Sequence, residues 1–182
     1  RTPPAPSSAA SDVYKRQVEN NVRSINIDNV LGGYMATLHL LQQGHVNIAH
    51  IKGLSSQPDA GNRFEGYKKA LQEAGIKVMP KLVKQGDFSS ESGYEKTVEL
   101  IESKVHFSAL FAANDQTAYG AIKALHDYGY KVPEDVSVIG FDDLPTSKYF
   151  TPALTTLRQP IEEIGGVCAQ SILNLLSGER HE

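Results

Sequence analysis

The feature that most constrains the fold is an alternation of short apolar runs with longer amphipathic stretches. The apolar runs, several of them rich in β-branched residues, predict strands at 23–27, 47–51, 81–83, 108–112 and 136–139. Helical spacing predicts helices at 31–43, 62–74, 93–103, 115–128 and 161–176, whereas 142–156 is irregular. Four helices are expected to end at a glycine: Gly44, Gly75, Gly129 and Gly178. This alternation predicts an α/β fold, a Rossmann-like parallel sheet with helices on both faces.

Composition excludes several kinds of site. The 182 residues contain one cysteine, Cys168, which excludes an internal disulfide and a cysteine-rich zinc site. The side chains of 18 basic and 21 acidic residues give a net charge of −3, which argues against nucleic-acid binding by this chain itself. No apolar run approaches the ~20 residues of a membrane span. The length suits one domain, or one domain with part of another.

The first 21 residues are predicted to lie outside the fold. Residues 1–17 read RTPPAPSSAASDVYKRQ and show neither apolar periodicity nor the apolar stretch of a signal peptide. The segment SDVYKRQ also looks like translated adaptor sequence of the kind found at the ends of gene fragments. We therefore expect residues 1–21 to be a disordered or extraneous tail and the parent protein to begin upstream.

Polar side chains follow four of the predicted strands. They are Ser55, Ser56, Asn62 and Arg63 after the second, Asp87 and Phe88 after the third, Asn114 and Asp115 after the fourth, and Asp142 and Asp143 after the fifth. In an open parallel sheet the ligand crevice lies beyond the carboxyl ends of the strands, so these groups are expected at one edge. Guanidinium, carboxylate and aromatic groups together suit a polyhydroxylated or heterocyclic small molecule.

Most of these residues also have an ordinary structural explanation. Helix capping is the alternative for four acidic or hydroxyl residues: Asp28, Asp87, Ser89 and Asp115. The pair Asp142-Asp143, followed by Leu-Pro, is compatible with a turn, and Arg63 with a solvated helix surface. Phe88 is harder to explain in this way, because a lone aromatic ring among Gly, Asp and Ser must bury against something.

Signals for catalysis and metal binding are weak. The six histidines show no i, i+4 pair with a third ligand, so neither a metal site nor a cofactor is expected. The sequence also lacks the G-x-G-x-x-G, G-x-x-x-x-G-K-[ST], G-x-S-x-G and H-E-x-x-H motifs. We predict that the chain is not an enzyme. A hydrolase or oxidoreductase activity is the least favoured alternative.

Seven segments, taken in order and spacing, resemble one known family. They are INIDN (25–29), QQGHVNIAHIKG (42–53), NRFEGYKKAL (62–71), GDFSSESGY (86–94), ALFAANDQTAYGAIKAL (109–125), VPEDVSVIGFDD (132–143) and YFTPALTTLRQP (149–160). From about residue 22 to 178 the chain is similar to the LacI/GalR family of bacterial transcriptional regulators. The resemblance implies the periplasmic-binding-protein type I fold, in which two Rossmann-like lobes close on a ligand.

The resemblance also implies how the chain divides. Residues 22–29 correspond to a strand of the N-terminal lobe and a crossover, 30–157 to the complete C-terminal lobe, and 158–182 to a second crossover and an N-terminal-lobe helix. The helix-turn-helix headpiece, the hinge helix and most of the N-terminal lobe have no counterpart in these residues.

Ligand-binding residues are implied by the same resemblance. The arginine at the start of the N-R-F-E-G helix and the aspartate of the I-G-F-D motif grip the effector in this family, which corresponds to Arg63 and Asp142. The aromatic residue of G-D-F packs on the effector, which corresponds to Phe88, and the asparagine of A-N-D faces the cleft, which corresponds to Asn114. Ser56 and Gln159 are weaker correspondences.

The implied function is that of an effector-binding domain in a cytoplasmic, DNA-binding regulator. The effector would be a sugar, a sugar phosphate or a nucleobase, and operator DNA would be bound through the missing headpiece. A homodimer is expected, with five residues at its interface: Ala118, Tyr119, Ile122, Tyr149 and Phe150. The alternative for those residues is packing in the lobe's own core. The alternative function is an exported sugar-binding receptor of a transport system, which the FTPALTT segment disfavours.

Overall fold

The computed structural model describes residues 14–19 and 22–177, and it divides them into two compact units. The first unit includes the described residues up to Asp28 and those from Gln159 onward, and the second is Asn29–Arg158. The second unit is thus one residue longer at each end than the lobe predicted at 30–157.

The first unit contains two strands and one helix. β1 (Tyr14–Glu19) pairs antiparallel with β2 (Val22–Ile27), with Tyr14 opposite Ile27. β1 lies within the segment 1–21 that is predicted to be a disordered or extraneous tail, and its backbone pairs with β2 without the apolar periodicity that this segment lacks. Helix α5 (Ile161–Leu176) has no buried residue. Residues 1–13, 20–21 and 178–182, which include Gly178 and most of the predicted tail, lie outside the described residues.

The second unit is a five-stranded parallel sheet. Its strands are β3 (Ile48–Lys52), β4 (Val83–Gln85), β5 (Ala109–Ala112), β6 (Ser137–Asp142) and β7 (Thr155–Arg158), in the order β4-β3-β5-β6-β7. Its helices are α1 (Asn29–Gln42), α2 (Pro58–Glu73), α3 (Ser90–Glu102) and α4 (Asp115–Asp127). No helix in the described part of the chain is both long and apolar enough to cross a membrane.

Side chains of the central strand β5 alternate between two hydrophobic cores. Leu110 and Ala112 belong to the core that includes Leu100 of α3 and Leu125 of α4. Ala109 and Phe111 belong to the core on the other face, against α1 and α2. Because successive residues of a strand point to opposite faces, both faces of β5 are covered by helices. The predicted fold class is confirmed.

Within the second unit, α2 and β7 differ most from the sequence-based prediction, and β4 begins only at Val83, where the strand predicted at 81–83 ends. Helix α2 begins at Pro58, four residues before the predicted start, because proline is well tolerated in the first turn of a helix. Strand β7 lies within and beyond the stretch predicted to be irregular. It pairs with β6 at the edge of the sheet, where its residues are exposed or half-buried, so it has none of the apolar pattern that reveals a central strand.

Candidate functional site

The candidate site lies at the carboxyl edge of the sheet, beside β3 and β5. The chain leaves β3 for the outer strand β4 and then returns to β5 on the other side of β3. Such a reversal of direction opens a crevice beyond the carboxyl ends of the two strands. Arg63, on the second turn of α2, reaches this crevice, where its Nη1 donates to the carbonyl oxygen of Ala113 at 2.5 Å.

Arg63 is buried, with 5% of its surface exposed, and it is held from several sides. Its Nε donates to Oδ1 of Asn29 at 2.9 Å, and its guanidinium carbon lies 3.7 Å from the ring centre of Phe141. Nη1 also lies 3.7 Å from Oδ1 of Asp142. Nε and Nη1 thus fix the orientation of the guanidinium within the edge.

The charge of Arg63 is compensated locally. Burial lowers the pKa of its guanidinium, while the nearby carboxylates of Asp142, Asp59 and Asp115 raise it. Arginine stays protonated in proteins at neutral pH, so the site contains a fixed positive charge beside a carboxylate. The arrangement therefore offers a hydrogen-bond donor and an acceptor side by side.

Phe88 supplies an aromatic wall. Its ring centre lies 5.9 Å from the guanidinium carbon of Arg63, and its backbone has a φ of +74°. The ring fits over Gly53 at the end of β3, where a Cβ atom would lie 2.0 Å from the ring. Asn114 donates from its side-chain amide to the carbonyl oxygen of Phe88 at 3.1 Å, which holds this unusual backbone conformation in place.

The end of β6 forms the third side. Asp142 and Asp143 both have positive φ values, +119° and +55°. The amide of Asp143 donates to Oγ1 of Thr156 at 3.2 Å, and its carboxylate accepts from Nε of Arg158 at 2.5 Å. Non-glycine residues with positive φ are strained, so their presence beside a buried arginine favours a functional interpretation of this edge.

The structure brings together four of the six predicted ligand-binding residues, since Asn114 donates to the carbonyl oxygen of Phe88. Arg63 and Asp142 meet although 79 positions separate them in the chain, and Phe88 lies beside them. Ser56 lies in the exposed loop between β3 and α2. Gln159 belongs to the other unit. For all six residues a ligand-binding role stays a prediction.

Asn114 has a structural role that the prediction did not include. Besides holding Phe88, it caps α4, because its Oδ1 accepts from the amide of Thr117 at 2.9 Å. Asp115, predicted as that cap, is instead the first helical residue and is fully buried. Ser89 caps α3 as predicted, while Asp87 accepts from the amide of Ser89 and does not cap the helix.

The predicted dimer interface needs a correction. Ala118 and Ile122 are buried in the core between the sheet and α4, so they cannot form an exposed patch. Helical spacing showed that one face of α4 is apolar, but the sheet already covers that face. Tyr119 is half-buried and stacks on Phe150 with ring centres 4.3 Å apart, whereas Tyr149 is 77% exposed. A role at an interface stays a prediction for these three aromatic residues.

Sequence reasoning missed Asn29 as a site residue. It lies at the first position of α1, it is 4% exposed, and it orients Arg63. The one available signal is its position directly after a predicted strand. Within the described part of the chain, no three His, Cys, Asp or Glu residues come together to hold a metal ion. The edge itself brings together a hydrogen-bond donor, an acceptor and an aromatic ring.

Comparison with known proteins gives this edge a context. Residues 37–182 match the family of periplasmic binding protein-like domains. The HTH-type transcriptional repressor PurR of Serratia proteamaculans is 41% identical over 157 residues, which are 86% of this chain and 46% of that protein. The chain spans about half the length of the curated relatives it matches.

Solved structures agree with the sequence comparison. The Escherichia coli transcriptional repressor AscG superimposes with a TM-score of 0.85 at 38% identity, over 92% of this chain and 61% of AscG. A complex of the transcriptional regulator CelR with cellobiose gives a TM-score of 0.80 at 36% identity, over 86% of this chain and 48% of CelR. The chain therefore belongs to the family of periplasmic binding protein-like domains and is homologous to the effector-binding region of LacI-family transcriptional repressors.

Proposed function

We propose that this chain is the effector-binding region of a DNA-binding transcriptional regulator, and that its ligand binds at the carboxyl edge beside Arg63. The observation that carries the proposal is the 3.7 Å approach of Arg63 to Asp142, next to the ring of Phe88. This is a binding arrangement without a nucleophile and base, so the chain acts by binding and not as an enzyme. A cytoplasmic location follows from the role of a regulator.

The chemistry of the edge favours a small, largely uncharged ligand. A hydroxyl group both donates and accepts, so adjacent hydroxyls match the guanidinium of Arg63 and the carboxylate of Asp142. The apolar face of a sugar ring, or the flat face of a nucleobase, suits the ring of Phe88. The CelR structure, which contains cellobiose, supports the sugar class. A phosphate group suits the edge less well, because it would approach the carboxylates of Asp142 and Asp143.

Ligand titration tests the binding site. Isothermal titration of the 182-residue chain with glucose, galactose, ribose, cellobiose, adenine and guanine, and with glucose 6-phosphate, is expected to identify one class of binder. Replacing Arg63 with Met or Asp142 with Asn should weaken that binding by ~2–5 kcal/mol, because each removes a charged group proposed to contact the ligand. Lys69→Met, an exposed change on the same helix, is the control. Equal affinity in the wild type and all three variants would contradict the assignment of Arg63 and Asp142 to the binding site.

The regulatory part of the proposal concerns the longer protein. A ligand that favours one of two conformations changes operator affinity by the difference in its affinities for them, typically ~5- to 150-fold. The coding sequence upstream of Arg1 should encode a helix-turn-helix. A signal peptide there would favour the exported sugar-binding receptor instead. Operator binding that does not respond to a ligand held at this edge would contradict control by the effector.

A dimer is part of the same proposal. The exposed ring of Tyr149, together with Phe150 and Tyr119, offers an aromatic surface for a second copy. Sedimentation of the longer protein at micromolar concentration is expected to give a dimer, and Tyr149→Ser should raise its dissociation constant. A monomer would refute this part while leaving the ligand site untouched.

A further inference from the structure

Asp115 is a fully buried carboxylate whose role neither helix capping nor direct ligand contact explains. It is the first residue of α4, and none of its surface is exposed. A buried ionisable side chain is costly unless its oxygen atoms are fully hydrogen-bonded. Its partners therefore show what the carboxylate is for.

All three recorded donors to Asp115 come from the segment that follows β6. Oδ2 accepts from the amide of Leu144 at 2.7 Å and from Oγ of Ser147 at 2.6 Å. Oδ1 accepts from Oγ1 of Thr156 at 2.5 Å. One carboxylate on α4 thus holds the beginning, the middle and the end of the stretch 144–156.

Thr156 connects Asp115 directly to the ligand edge. While its hydroxyl donates to Asp115, its Oγ1 accepts from the amide of Asp143 at 3.2 Å. Leu144, the first donor to Asp115, is the next residue in the chain. The Asp142–Asp143 turn, with its two positive φ values, is therefore held on its far side by bonds that converge on Asp115.

The approach of the carboxylate is built into β6. A Cβ atom at Gly140 would lie 2.4 Å from Oδ1 of Asp115, so only glycine at this position leaves room for the carboxylate against the strand. β6, α4 and the segment that follows β6 therefore all accommodate the side chain of Asp115.

We propose that Asp115 is a positioning residue, which fixes the Asp142–Asp143 turn so that the carboxylate of Asp142 stands beside Arg63 before any ligand arrives. This proposal rests on the proposed ligand-binding role of Asp142. Binding to a turn that is already ordered avoids the entropic cost of ordering it, so loss of Asp115 weakens binding without removing a ligand contact.

Two variants of Asp115 separate positioning from general stability. Asp115→Ala removes all three acceptor bonds. Asp115→Asn is the conservative variant, since its oxygen can still accept from Leu144 and Ser147 while its amide donates to Thr156. Leu100→Ala is a control that destabilises a hydrophobic core of the same unit without removing a hydrogen bond to the turn. Thr117→Val is a control for a change within α4, because Oγ1 of Thr117 is buried and has no hydrogen-bond partner among the described residues.

Amide hydrogen exchange measures the order of the turn, and isothermal titration measures ligand affinity. Both are carried out on the 182-residue chain well below its unfolding temperature. Asp115→Ala should raise amide exchange across residues 142–156 and weaken binding of the sugar or nucleobase identified above by about tenfold, roughly the value of one net hydrogen bond. Asp115→Asn should restore most of both properties. Leu100→Ala and Thr117→Val should change neither.

Unchanged exchange at 142–156 in Asp115→Ala would overturn the proposal, as would a loss of affinity no larger than that of Leu100→Ala. If none of the compounds binds, the ligand-binding proposal fails, while the exchange measurement still decides whether Asp115 orders the turn. Should Asp115→Ala not fold, Ser147→Ala removes one of the three donors and should raise exchange in the same segment by a smaller amount.

Discussion

His50 gives the sharpest prediction about stability, because it is an ionisable side chain enclosed in an aromatic core. It is fully buried on β3, with ring centres 4.6 Å from Phe111 and 5.0 Å from Tyr67. Its Nδ1 lies 2.9 Å from the carbonyl oxygen of Phe111, which requires a proton on Nδ1. Nε2 is buried and has no partner among the described residues. The neutral ring fits this site, and the charged ring does not.

The loss of stability at low pH follows from the pKa of His50. Burial lowers the pKa of His50 from 6.5 to about 4. The unfolded chain therefore binds a proton at a higher pH than the folded chain does. His50 consequently leaves stability intact above pH 6.5 and lowers it progressively as the pH falls from 6.5 to 4. A difference of about 2.5 pH units, at about 1.4 kcal/mol per unit, gives a loss of about 3.5 kcal/mol once the pH is below both pKa values.

Urea unfolding followed by far-ultraviolet circular dichroism measures this loss, and it suits a chain without tryptophan. His50→Gln removes the titrating group, so its free energy of unfolding should fall less than that of the wild type between pH 7.5 and 4.5. Because the comparison concerns how the free energy of unfolding changes with pH, the pH-independent cost of the substitution cancels. His126→Gln, an exposed change, should follow the wild type. Parallel curves for His50→Gln and the wild type would refute a buried, neutral His50.

Three further predictions concern packing. Thr117→Val should raise the free energy of unfolding by about 1 kcal/mol in the same assay, because it removes a buried hydroxyl without a partner. Gly66→Ala should lower it by ~1–3 kcal/mol or more, since a Cβ there would lie 2.1 Å from the carbonyl oxygen of Val30 on α1; Gly61→Ala, with open space around it, should not. Gly53→Ala should displace the ring of Phe88 and weaken ligand binding in titrations without unfolding the chain.

Much of the second unit could be predicted because its pattern is local. Short buried strands and glycine-terminated helices leave signals within a few residues, and Gly44, Gly75 and Gly129 do have positive φ values at helix ends. The meeting of Arg63 with Asp142 was also predictable, because parallel strands bring their carboxyl ends to one edge. This prediction needed only the topology of a parallel sheet and no knowledge of an individual contact.

The residues that support the site were not predictable in the same way. Asn and Asp have nearly equal preferences as helix caps, so the sequence Asn114-Asp115 did not show which one caps and which is buried. The choice is made by donors up to 41 positions away, such as Thr156. The apolar face of α4 posed a similar difficulty, since periodicity identifies an apolar face but not what covers it.

Features that destabilise the folded state are concentrated at the edge beside Arg63, which favours a function there. Of the four non-glycine residues with positive φ in the described part of the chain, Phe88, Asp142 and Asp143 lie beside Arg63, and Lys104 follows α3. Strained backbone and a buried guanidinium each destabilise the folded state, and apolar residues in their place would often be at least as stable. Hydrogen bonds from Asn114 and to Thr156 hold these features in place. A folded state that keeps its donor, acceptor and aromatic ring fixed in this way has less conformational entropy to lose on binding, which favours the ligand-binding role proposed for this edge.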